Sequence, residues 1–367
     1  MQKGKSDMNI NELKTKAMQR KPASKRASQT GKKLDLSKMV RMNFNENSYG
    51  MSPKALEAIK ESAVMGNRYD FNATEIKEVI AKKHGFEPSN VLIGAGSSAL
   101  IDMLGVTFLE DGDEVVLCMP TFAAFVDMAY VNGATPKVVP VNENQEFDLD
   151  AMLQAINEKT KMVVVVNPNN PTSTYRSAKD IEEFIKKVPE GVMIVIDEAY
   201  LEYATAPDCK SMLYLVKEID KPIIVLKTFS KIYGMAGVRM GYAIADSSVV
   251  ASMNGCPAAW NISIMAQKAA IAALGDQEFI EYVKEKIAEG RDYITKELEQ
   301  LGCKVFPSQT SFVYFDAHRD PAELMDEMAK ENIAMGAAEY SRISVGTMEE
   351  NQLFIQAMKK ILSRDNS

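Results

Sequence analysis

Histidine is nearly absent from these 367 residues: only His84 and His318 occur. The four cysteines, Cys118, Cys209, Cys256 and Cys303, lie far apart with no CxxC pair. That supply of ligands is too thin for a structural zinc site, so no metal is expected. Nothing demands an oxidising compartment, and the thiols read as buried or incidental. No run reaches the ~18 apolar residues that a membrane span needs, which argues against a membrane partner. Charge of one sign is not in large excess: the formal net charge is −7 over the whole chain, which argues against nucleic acid as the main partner. Basic residues between Lys3 and Lys33, including Arg20-Lys21 and Lys25-Arg26, are never followed by an apolar stretch. Residues 1–34 therefore read as a solvated, unstructured basic extension rather than a signal peptide or a nucleic-acid arm. A cytoplasmic location is the expectation.

What is present is enough apolar material for a full core: 46% of residues are hydrophobic, and the length allows two domains. Ser52-Pro53 opens a helix to about Val64, and a second helix runs from about Thr74 to His84. From Asn90 short apolar runs alternate with helical segments. Strands are expected at Val91 to Ile93, Glu114 to Cys118, Thr135 to Val139, Met162 to Val166, Val192 to Ile196 and Ile223 to Leu226. Between them, helices are expected at Ser98 to Leu109, Thr121 to Val131, Leu149 to Ile156 and Ala178 to Lys187. Several strands are almost wholly apolar, as strands covered on both faces by helices should be. The alternation predicts an α/β domain with a mainly parallel sheet, to which Met240 to Ala245 adds a strand that could run antiparallel. A long helical stretch from Ser263 to about Leu301 breaks near Gly275. An α+β segment closes the chain, with strands at Phe312 to Phe315 and Arg342 to Val345 and helices at Pro321 to Glu331 and Glu349 to Leu362. The expected division is a large α/β domain over 61–286 and a small α+β domain made of 35–60 with 287–367.

The segment from Lys227 to Tyr242, KTFSKIYGMAGVRMGY, follows an apolar strand and is crowded with hydroxyls, glycines and cations. A Schiff-base enzyme needs a lysine beside a phosphate anchor: Lys231 supplies the amine, and Thr228, Ser230 and Arg239 the anchor. A lone Ser-Lys would read as a solvent-facing lysine in a loop; the surrounding pattern outweighs that. Gly94-Ala95-Gly96-Ser97-Ser98-Ala99 follows a strand and starts a helix, so the N–H groups at Gly96, Ser97 and Ser98 are placed to bind phosphate. It also reads as GxGxxA, a dinucleotide fingerprint. That alternative needs an acid ending the next strand, whereas Asp111, Asp113 and Glu114 precede it.

With these segments in order, the chain resembles the class I/II aminotransferases of fold type I, and most closely the histidinol-phosphate aminotransferase group. The resemblance runs from about Asn43 to Thr347. Asn43 to Gly50 is similar to the group's NENPYG loop, with Ser48 for proline. Asn167 to Thr172 matches NPNNPT, Asp197 to Tyr200 matches DEAY, and Arg342 to Thr347 is similar to RISIGT. The resemblance implies pyridoxal 5′-phosphate held by Lys231 and a large domain with a mainly parallel seven-stranded sheet. It further implies a homodimer acting on an amino acid and a 2-oxo acid such as 2-oxoglutarate. Asp197 would pair with the ring nitrogen; Asn170 and Tyr200 would bond the ring 3-oxygen; Phe122 would stack on the ring. Arg342 would grip the substrate carboxylate, Tyr69 would reach the phosphate of the neighbouring subunit, and Tyr49 would sit on the substrate side.

Two departures stand out. Ser173 replaces a glycine in the NPNNPTG turn, which predicts a slightly altered backbone there. The run Ile333 to Ser341 lacks the arginine that helps the group hold the substrate phosphate, and carries Glu339 instead. On that ground an uncharged, aromatic or cationic amino acid is expected as donor, with histidinol phosphate as the alternative. A decarboxylase similar to the threonine-phosphate decarboxylases and a non-catalytic cofactor-binding regulator are the remaining alternatives.

Overall fold

The computed structural model describes residues 14–20, 38–70, 72–256 and 262–364. Of the basic extension, only 14–20 are among them, and Lys16–Arg20 form a short helix; the rest of that expectation lies outside the described residues.

Seven strands form the larger sheet: β2 (Val91–Gly94), β3 (Glu114–Met119), β4 (Thr135–Pro140), β5 (Thr160–Val166), β6 (Met193–Asp197), β7 (Ile223–Thr228) and β8 (Gly241–Ala245), in the order β2-β8-β7-β6-β5-β3-β4. The pairs among β3 to β7 are parallel, and β8 runs against both its neighbours, so one strand is reversed. Strands β5, β6 and β7 are buried almost throughout. That is why their sequences are continuous Val and Ile rather than alternating. Helices Ser97–Phe108, Ala124–Val131, Leu149–Ala155 and Ala178–Lys187 connect the strands. Burial pushes the Cys118 and Cys209 thiols up to about 12, and all four cysteines are free and buried.

The smaller sheet, β1-β11-β12-β10-β9, contains β1 (Val40–Met42), β9 (Lys304–Val305), β10 (Phe312–Asp316), β11 (Ile333–Ala337) and β12 (Ser341–Ser344). Three of these were not foreseen. β1 and β9 are too short to show a period, and β11, IAMGA, is uniformly small and apolar. β1 pairs in parallel with β11, bringing the segment after Met42 onto the far end of the chain. The helix Gln277–Gln300 continues through the expected 286/287 boundary without a break. Helix Pro53–Ser62, capped by the Ser52 hydroxyl, packs on helix Ile264–Leu274 of the larger unit. Among the described residues, no helix is long and apolar enough to cross a membrane.

Candidate active site

The parallel strands deliver their loops to one edge, the carboxyl end of the sheet, where open α/β folds place ligands. β3 leads into Thr121 and Phe122, β5 into Asn167 to Asn170, β6 ends on Asp197, and β7 runs into Thr228, Ser230 and Lys231. Of these, Thr121, Phe122, Asn170, Asp197, Thr228, Ser230 and Lys231 line a cavity of about 430 Å³ with Ser97, Ser98, Tyr200, Arg239, Ala337, Ala338 and Arg342. Eleven of the fourteen residues singled out in the sequence thus lie on one cavity wall.

One end of the cavity is an anion cradle. Helix Ser97–Phe108 starts from Gly96 at φ +78° with no side-chain cap, which leaves its first N–H groups open. A Cβ at Gly96 would lie 2.5 Å from Arg239 Nη2, so only glycine allows this approach. Arg239, itself left-handed at φ +62°, donates to the Ala236 carbonyl at 2.9 Å and reaches Ser230 Oγ at 3.5 Å. Thr228 Oγ1 accepts from the Ser230 N–H at 3.1 Å.

Asp197 is 2% exposed and accepts a hydrogen bond from the Ala199 N–H at 3.0 Å. Burial pushes its carboxyl up to about 7, outweighing that bond and the attraction of Lys231 and Lys227. A buried carboxylate so poorly compensated fits a cationic ring nitrogen. Lys231 Nζ donates to the carbonyls of Phe44 and Asn45, both at 3.3 Å, and stands 5.4 Å from the Tyr200 ring centroid.

At the other end, Arg342 donates from Nη1 to Asn170 Oδ1 at 2.6 Å and from Nη2 to the Asn43 carbonyl at 2.8 Å. Its Nε and the neighbouring Asn43 Oδ1 are buried with no hydrogen-bond partner among the described residues, which fits a guanidinium facing a further anion. Burial pulls this guanidinium below the usual arginine range. With Oδ1 engaged by Arg342, the Asn170 Nδ2 remains as a donor. The cradle, the buried carboxylate of Asp197 and the Lys231 amine together fit pyridoxal phosphate.

Behind this wall sits a network the sequence reading did not assign. Lys227 Nζ lies 3.0 Å from both Glu198 and Glu202. Burial opposes its charge, but Glu202 and Glu198 more than offset this and hold it well above the ordinary lysine value. Glu198 also accepts from the Ser211 hydroxyl and the Met212 N–H. The signal was present in the Asp-Glu-Ala-Tyr-Leu-Glu run, where Glu198 and Glu202 flank the two residues given roles, Asp197 and Tyr200.

Two expected residues lie elsewhere. Tyr69 is 85% exposed and borders a separate hollow with Arg68, Lys77 and Gln267; within a single chain it does not join the Lys231 cavity. Tyr49 is half-buried and packs edge-on against Tyr282 at 5.7 Å, and it is not part of the cavity lining.

Both departures look different in three dimensions. Ser173 takes φ +64°, the left-handed conformation a glycine adopts without penalty. Its hydroxyl donates to the Thr172 carbonyl at 2.5 Å and lies 3.2 Å from that of Pro307. Glu339 does not face the cavity. The hairpin between β11 and β12, closed by Ala338 N–H to the Tyr340 carbonyl at 2.8 Å, turns Glu339 to solvent and leaves Ala337 and Ala338 on the wall. The expected repulsion of a substrate phosphate by Glu339 therefore has no structural basis. In the same hairpin Gly336 pairs with Arg342, and a Cβ there would meet Arg342 Nη2 at 2.9 Å.

The profile of the family described as Aminotransferase class I and II matches residues 37–358. Histidinol-phosphate aminotransferase of Bacillus licheniformis is 37% identical over 338 residues, covering 90% of this chain and 93% of the relative. The Moorella thermoacetica enzyme of that name is 35% identical over 339 residues, 90% of this chain and 88% of its own. The crystal structure of histidinol-phosphate aminotransferase from Sinorhizobium meliloti in complex with pyridoxal-5′-phosphate superposes with a TM-score of 0.84 at 29% identity, over 92% of this chain and 93% of that one.

Proposed function

This chain belongs to the class I and II aminotransferases, and we propose that it transfers the amino group of histidinol phosphate to a 2-oxo acid such as 2-oxoglutarate. It is a pyridoxal-phosphate enzyme with a fold type I architecture. The observation that carries the substrate reading is the likeness to curated relatives that bear that enzyme's name; Arg342, held by Asn170 and Asn43, offers an anion contact that fits a substrate phosphate as it would a carboxylate.

The cofactor's phosphate would lie among Gly96, Ser97, Ser98, Thr228, Ser230 and Arg239. Asp197 would accept the ring N–H, Phe122 would pack against the ring, and Asn170 and Tyr200 would donate to its 3-oxygen. When bound to Lys231, pyridoxal phosphate supplies an electron sink for negative charge at the substrate Cα. The chain's own residues do the rest. Lys231 Nζ would act as the proton carrier, taking the proton from the substrate Cα and holding it beside the cofactor. Arg342 orients the substrate through its anionic group, which fixes the bond presented to the ring. A homodimer with Tyr69 reaching the partner's cavity accounts for that tyrosine's exposure and its distance from Lys231.

A free amino acid donor is the second reading. It is favoured by Ala337 and Ala338, which supply no cation beside Arg342. Comparing kcat/KM for histidinol phosphate and a panel of free amino acids, with 2-oxoglutarate as acceptor and both glutamate and carbon dioxide measured, decides between them. Histidinol phosphate is expected to win by at least about tenfold, one charge-assisted hydrogen bond of about 1.5–3 kcal/mol. A free amino acid winning by that margin would transfer the assignment to the second reading, and carbon dioxide release would make the enzyme a decarboxylase.

A further inference from the structure

We propose that Asn45 is a positioning residue that sets the direction of the Tyr200 hydroxyl proton; this rests on the reading of Tyr200 as a donor to the cofactor. Asn45 is 2% exposed and stands at φ +54°, a conformation asparagine tolerates better than most residues. The curled backbone brings both its own N–H and its side chain to one hydroxyl. The Asn45 N–H donates to Ser344 Oγ at 2.9 Å, and Ser344 Oγ lies 3.0 Å from Asn45 Oδ1.

One arrangement satisfies the buried Ser344 hydroxyl. A backbone N–H can only donate, so Ser344 Oγ accepts there, and its single proton goes to Asn45 Oδ1. The flipped amide would donate to Ser344 Oγ and leave that proton with no acceptor among the described residues. That pins the amide, with Oδ1 on Ser344 and Nδ2 on the Tyr200 hydroxyl at 3.0 Å. Nδ2 also can only donate, so the phenol oxygen accepts from it and must send its proton elsewhere. Among the described residues the hydroxyl has no other hydrogen-bond partner, and Tyr200 lines the cavity. The proton is therefore directed at the cavity. The relay joins three parts of the chain: the loop after β1, β12 of the smaller sheet, and the turn that follows β6.

Aspartate at 45 keeps the backbone conformation but replaces the donor with an acceptor, which would draw the Tyr200 proton away from the cavity. The test uses the pyridoxal-phosphate-loaded enzyme and reads the pH midpoint of the cofactor's visible absorption. Melting temperature confirms that each variant folds. Tyr200→Phe removes the donor to the 3-oxygen, and its midpoint is expected to rise by about 1 unit, the size of one charge-assisted hydrogen bond. Asn45→Asp should raise it similarly in the native background and by less than half as much in the Tyr200→Phe background. Ser344→Ala, which unpins the amide without adding charge, should move it in the same direction, and carries the test if the aspartate variant does not fold. Equal shifts from Asn45→Asp with and without Tyr200 would show a simple charge effect and overturn the proposal. So would unmoved midpoints in both Asn45→Asp and Ser344→Ala. If Tyr200→Phe itself leaves the midpoint unmoved, the assignment of Tyr200 falls and this inference with it. If only the Asn45 and Ser344 variants are silent, that assignment stands alone.

Discussion

Replacing Asp197 with asparagine should stabilise the cofactor-free protein while abolishing its turnover, and the gain should grow with pH. Burial raises the carboxyl from 3.8 to about 7. The folded value lies above the unfolded one, so the native state keeps a proton that the unfolded chain gives up between about pH 4 and pH 7, and stability is lost as pH rises through that window. At 1.36 kcal/mol per unit, a shift of roughly 3 units costs about 4 kcal/mol at pH 8 but only about 1.5 kcal/mol at pH 5. Asparagine has no charge to desolvate and keeps an oxygen for the Ala199 N–H, so it removes most of this pH-dependent cost. Urea unfolding of the cofactor-free wild type and Asp197→Asn at both pH values measures the difference directly. The gain is expected to be about 2.5 kcal/mol larger at pH 8 than at pH 5. An equal gain at both would refute the reasoning, because steric relief does not depend on pH. The same variant, loaded with cofactor, should show no turnover because the ring nitrogen has lost its carboxylate.

Lys231→Ala should abolish turnover, and borohydride should fix the cofactor to Lys231 in the wild type. Mixing Lys231→Ala with Tyr69→Ala should restore activity through hybrid dimers, in which one of two sites has both residues intact; no recovery in confirmed hybrids would remove Tyr69 from the partner's site. Lys227→Met should destabilise the protein by about 3–5 kcal/mol, since Glu198 is left buried without its cation; denaturant midpoints measure this, and a loss under 1 kcal/mol would show the pair to be dispensable.

The larger sheet was legible because each of its strands is short, apolar and bounded by helices, so every expected strand from Val91 to Ala245 lies on an observed one. β11 was not, because IAMGA shows no alternation, and its place is fixed by pairing with β1 almost three hundred residues away. Glu339 illustrates the same limit: its sign was readable, but its direction depended on a hairpin. Lys227 and Glu202 drew no notice because a cation and a carboxylate twenty-five positions apart have no local signature.

Lys231, Asp197, Arg239 and Arg342 could be singled out from sequence because their chemistry depends on residue type within a local motif. A strand end or a helix start places such a residue within a few bonds of its neighbours, and the local chain suffices. The unpartnered Arg342 Nε, the pinned amide of Asn45 and the outward turn of Glu339 were decided by the tertiary structure alone. Each depends on hydrogen bonds between segments distant in the chain, and whether a donor is free or taken is a property of the partners that folding brings to it.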